Sequence, residues 1–176
     1  MEIIIILTVI LQSIGVSLGV GSSTLAITNF FVAIADGKID ESERRIMGVV
    51  YIVLRVAMVL ILITTGILST IGYSLYGTDY FSPFVVGFWV LIIVLFINAI
   101  LMTTHIMPST VGPALQASSW YTMGVLMALF SLGLVQFSMF HFTLGYITVI
   151  LLAVSLVNGI MAALKHKRET QSIEQD

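Results

Sequence analysis

Apolar residues fill positions 3–35 almost without a break, then give way over 36–45 to the most polar stretch of the chain. A second apolar run covers 46–72, a third 84–107, and a last one extends from 120 to 164. Each exceeds the roughly 18 residues that mark a membrane-spanning helix. The last run is too long for one crossing, and Gln136, Ser138, His141 and Thr143 interrupt it, so a hairpin is placed near 136–143. The pattern predicts an all-α, polytopic transmembrane bundle of five helices. The spans fall at about 3–35, 46–72, 84–107, 117–137 and 141–164, followed by a polar tail over 165–176.

The punctuation between the runs has a physical reading. A straight helix over 3–35 measures about 50 Å against a hydrocarbon core of about 30 Å, so it must tilt, break or protrude. Gly15, Gly19 and Gly21 mark where a break would fall. Asp40 or Ser42 can cap the second helix, with acids in its first turn. Tyr73, Tyr76, Tyr80 and Phe81, with Gly77, Asp79 and Pro83, form an aromatic, turn-rich loop of the kind found at a membrane–water boundary. Pro108 and Pro113 are expected to end the third helix, and Ser118 or Ser119 to open the fourth.

Composition supports this class. Hydrophobic residues make up 59% of the chain and charged ones 9%, with mean hydropathy +1.11, whereas a soluble domain is about half apolar and a quarter charged. The chain has no cysteine, which removes disulfides, thiolate metal sites and thiol nucleophiles. No basic stripe points to nucleic acid. The start, Met1-Glu2-Ile3, lacks the basic flank of a cleavable signal, so the first helix is expected to be retained.

Charge sets the expected orientation. Lys38, Arg44 and Arg45 lie in the first loop, Lys165, Lys167 and Arg168 follow the last helix, and the other loops carry no Lys or Arg. Four helices separate the clusters, so both lie on one face, the cytoplasmic one by the positive-inside rule. The N-terminus is then outside and the C-terminus cytoplasmic.

Arg55 is a cation inside the 46–72 run. A charge at mid-bilayer costs roughly 2.5–3.5 kcal/mol and is usually turned inward and paired. Counted inward from the ends of the apolar runs, Arg55, Asn29, Asn98 and Asn158 each fall about 10–15 Å deep, with Tyr51 one turn from Arg55. These residues are the candidate ligand-binding cluster. No carboxylate lies within a span, so Arg55 has three options: amides and helix carbonyls, lipid phosphate, or an anionic ligand.

Other chemistry is thin. Proton-coupled transport generally uses an intramembrane acid, which is missing. His105 and His141 fall at opposite ends of the bundle, so they cannot face one haem together, and His166 lies in the tail. The spacing offers no metal cluster, and no cofactor is assigned. The segment 36–43 resembles the second half of a calcium loop, but Val32 and Ile34 stand where the first ligands belong. Gly19-Val20-Gly21-Ser22-Ser23 lacks the lysine of a phosphate loop, and Ser118 and Ser119 lack a nucleophile elbow. Small residues recur at helical spacing in Gly15, Gly19 and Ser23, and again in Ser155, Gly159 and Ala163. They permit close helix packing within the bundle or in a homo-oligomer.

The stretch from Ile14 to Thr24, followed by Asp36-Gly37-Lys38, resembles a family of uncharacterised bacterial multi-pass membrane proteins. Asn98-Ala99-Ile100-Leu101 before Pro108, and Ser119-Trp120-Tyr121, are similar to its later helices. Members often carry a histidine in the first helix where this chain has Gln12 and Ser13, which takes support from haem or metal binding. The resemblance implies the architecture and a bacterial inner membrane, and no mechanism.

The expected function is binding or transport of a small or lipidic anionic ligand, with Arg55 as electrostatic anchor, the asparagines and Tyr51 as partners, and membrane lipid as surroundings. No combination of acid, base and nucleophile marks an enzyme. A structural accessory subunit is the alternative class, and a haem or quinone redox protein the third.

Overall fold

A computed structural model describes residues 1–36, 40–108 and 111–173, with side chains for all of these except 33–36 and 165–173. Five α-helices follow one another: α1 (Glu2–Asp36), α2 (Glu41–Tyr76), α3 (Pro83–Thr103), α4 (Val111–Ser131) and α5 (Met139–Ile173), with a 3₁₀ turn at Gly77–Tyr80 after α2. No strand occurs among the described residues. Helices α1, α2, α3 and α5 are each long and apolar enough to cross a membrane. This is a five-helix integral membrane bundle, as the apolar runs predict.

Local chemistry fixes the helix ends. Asp40 accepts from the Glu43 N–H at 2.7 Å and the Glu43 carboxylate accepts from the Asp40 N–H at 3.1 Å, a reciprocal cap on α2. Gly37 and Lys38, which precede this cap in sequence, lie outside the described residues. Ser138 caps α5 by accepting from the His141 N–H at 3.3 Å, and its hydroxyl also meets His141 Nδ1 at 2.7 Å.

The fourth helix starts earlier than the prolines suggest. Pro113 sits in the first turn of α4, where its missing N–H would have had no intrahelical partner. Ser118 and Ser119 are therefore mid-helix, and both bond back to the Leu115 carbonyl, at 3.0 and 2.8 Å. Helix α3 ends at Thr103 because His105 turns left-handed, with φ 56°. The His105 and Ile106 N–H groups then bond the carbonyls of Met102 and Leu101, a Schellman cap that uses histidine where glycine is usual.

Helices α1, α2, α3 and α4 form a ring in which each packs on its neighbours, while α5 lies on α4 and reaches α1 and α3. Trp120, Ile61, Leu91, Ile92, Leu95 and Met123 fill the core. Helix α4 falls outside the apolar group because it carries Gln116, Ser118, Ser119, Tyr121 and Thr122. Ser118 and Ser119 are nevertheless buried, since the neighbouring helices cover that face. The Gly15–Gly19–Ser23 stripe is consumed here. Gly15 faces Leu60 and Ile61 of α2, Gly19 faces Trp120 of α4, and Ser23 is buried. Ser155, Gly159 and Ala163 all face away from the protein.

Candidate functional site

The layer expected around Arg55 does not assemble. Arg55, Tyr51 and Asn158 all lie on surfaces that the protein leaves uncovered. The covered face of α2 is set by Val50, Leu54, Ala57, Met58 and Ile61, and Arg55 stands about 100° round the helix from Leu54. From Arg55 to Tyr76 the helix rises about 32 Å, close to the roughly 30 Å of a hydrocarbon core. Helix α2, with 36 residues, is longer than such a core. An exposed arginine on such a helix can extend toward headgroups without an inward partner.

Asn98 does turn inward, and it meets α4. Only 1% of it is exposed. Its Nδ2 donates to the Gly112 carbonyl at 3.0 Å and to Gln116 Oε1 at 3.1 Å, while Oδ1 is buried without a partner. The contact pins the start of α4 to the end of α3. Asn29 is half-buried, and its Nδ2 has no partner.

A cavity lies at the opposite end, lined by α1, α2, α3 and α4. It holds about 560 Å³, within the range of small-molecule sites. Ile5 and Val9 of α1, Leu68 and Leu75 of α2, Phe84 and Phe88 of α3, and Met127 and Phe130 of α4 supply apolar walls. Gly72 allows the ring of Tyr80 to lie against the backbone of α2, closing one side.

Polar groups occur at the two ends of this space. At the deep end Gln12 Nε2 donates to Thr65 Oγ1 at 2.9 Å, with both residues buried. At the mouth stand Tyr76, Asp79, Tyr80 and Ser82. From Thr65 to Tyr76 the helix rises about 16 Å, half a hydrocarbon core. The cavity is therefore apolar along its length and polar at its two ends, which lie about 16 Å apart along α2. Beside it Trp89 Nε1 donates to Ser69 Oγ at 2.9 Å and ties α3 to α2.

No protein-family model, curated protein or solved structure matches this chain. Asp79 and Tyr80 belong to the aromatic loop after α2, whereas Thr65 carries no charge to mark it. The sequence signal for Thr65 is a stripe of small or hydroxylated residues, Thr65, Ser69, Gly72 and Tyr76, at helical spacing on α2. His105 closes α3 at one end of the bundle and His141 opens α5 at the other. No group of three or more potential metal-binding side chains gathers among the described residues.

Proposed function

We propose that this chain is a membrane-embedded binding protein whose α1–α4 cavity holds a small or lipidic ligand. In this reading it sits in a bacterial inner membrane with the tyrosine end outside, which leaves Arg44, Arg45 and the Lys165–Arg168 segment in the cytosol. Arg55 then contacts phosphate of inner-leaflet lipid, and the ligand enters from the outer leaflet. The observation that carries the reading is an apolar cavity among four helices with polar groups confined to its two ends.

Native mass spectrometry of the protein extracted in a neutral detergent tests it. A co-purifying amphiphile is expected on the wild-type chain. Leu68→Trp, which fills the cavity, is expected to lose it while retaining a cooperative thermal transition. Equal adducts on both proteins would move the ligand elsewhere. Because the chain has no native cysteine, single cysteines near Thr78 and in the tail report orientation with an impermeant thiol reagent.

A second reading, an accessory subunit, draws on α5. Its most apolar stretch is almost wholly uncovered, and its stripe of Ser155, Gly159 and Ala163 offers close approach to another helix. Cross-linking from a cysteine at Gly159 in native membranes separates this reading from lipid contact.

A further inference from the structure

The cavity mouth has one charge and two aromatic rings. Asp79 is the only ionisable carboxylate among the lining residues, and Tyr76 and Tyr80 stand beside it in the same lining. Asp79 is exposed at the tip of the 3₁₀ turn. Phe81 packs edge-on against Tyr80 with ring centroids 5.7 Å apart and against Tyr73 at 6.3 Å, which stiffens the aromatic wall.

Among the described residues no cation pairs with Asp79. Arg44, Arg45 and Arg55 belong to the first half of α2, toward the other end of the bundle. His141 lines a separate recess between α4 and α5. A carboxylate that shares a cavity mouth with two tyrosines offers an ammonium group an ion pair and the negative potential of aromatic rings.

We propose that the ligand is a single-chain amphiphile with a cationic ammonium head, held with its head at Asp79, Tyr76 and Tyr80 and its chain directed toward Gln12 and Thr65. This rests on the cavity being the binding site and adds the class of ligand. A space of about 560 Å³ suits one drug-sized molecule. A phospholipid head would set its phosphate against the Asp79 carboxylate, a like-charge contact that opposes binding.

The test uses the full-length protein in neutral maltoside detergent, with native mass spectrometry of dodecyltrimethylammonium, dodecyl sulfate and dodecanol in competition. The cation is expected to bind about tenfold more tightly than either chain-matched probe. Asp79→Asn, whose side chain makes no hydrogen bond within the protein to lose, is expected to bring the cation down to the level of dodecanol. Dodecyl sulfate binding as well as the cation, or an undiminished preference in Asp79→Asn, overturns the ammonium assignment while the cavity reading stands. If none of the three probes binds the wild-type chain, the cavity reading fails and this assignment fails with it.

Discussion

Gly19 lies against the indole of Trp120, so that a Cβ at this position would clash with the ring atoms. Trp120 is wholly buried, and the missing side chain on α1 is what lets α4 pack closely on α1. Because the obstruction is a rigid ring among close-packed neighbours, Gly19→Ala is expected to destabilise by about 1–3 kcal/mol. Gly21 has open space at its Cβ position, so Gly21→Ala is the control. Thermal unfolding in detergent should show a clear drop in Tm for the first and little change for the second.

Trp120 also has a buried indole N–H without a partner. Its phenylalanine variant loses area but also removes an unsatisfied donor, and these effects oppose each other. Trp120→Phe is therefore expected to cost much less than Trp120→Ala, for which about 3–5 kcal/mol is usual. Similar losses in the two variants would mean that the N–H is satisfied, by water or ligand, in the membrane.

How far the sequence discloses this architecture depends on which physical signal each element leaves. The five helices are legible because apolar length is a local property, and the α2 start is legible because Asp40 and Glu43 stand three residues apart. The register of α4 is not, since Pro113 reads equally as a stop or as a first-turn residue. The exposed placement of Arg55 is not legible, because apolar length does not say which face of a 36-residue helix its neighbours cover. The cavity is the least legible feature. It lies between α1 and α3, which pack on α2 and α4 rather than on each other, and no pattern within one helix encodes a space among four.

Asn98 joins α3 to α4 through donors alone, to Gly112 O and Gln116 Oε1. Asn98→Asp keeps the shape but sets a carboxyl against two carbonyl oxygens in a buried place. Asn98→Leu removes the bonds and also removes the unpartnered Oδ1. The aspartate variant is expected to be the more damaging, by about 2 kcal/mol or more. Comparing folded yield and Tm of the two variants checks the order, and equal losses would count against donor-only bonding.

Two Schellman caps make opposite expectations. After α4, Gly133 has φ 72°, and the Leu134 N–H reaches the Leu129 carbonyl at 2.8 Å. After α3, His105 occupies the equivalent left-handed position. Gly133→Ala is expected to lose about 1 kcal/mol and His105→Gly to gain a similar amount, because only glycine avoids the Cβ penalty there. A fall in Tm for His105→Gly would mean that the imidazole makes a stabilising contact, for example with lipid headgroups.

Arg55 decides between two electrostatic pictures of the chain. If it anchored an anion inside the bundle, Arg55→Leu would abolish binding. Its exposed position, about 32 Å along α2 from Tyr76 and remote from the cavity, leads to a different expectation. Arg55→Leu should retain its folded yield, shift stability by no more than about 0.5 kcal/mol, and bind dodecyltrimethylammonium as the wild type does. What should change, on the proposed orientation, is the lipid contact: a guanidinium near a membrane surface attracts anionic lipid, worth about 1 kcal/mol per basic residue. Retention of anionic over zwitterionic lipid on delipidation, followed by mass spectrometry, should therefore fall in the variant. Loss of ammonium binding with lipid retention unchanged would return Arg55 to the ligand site.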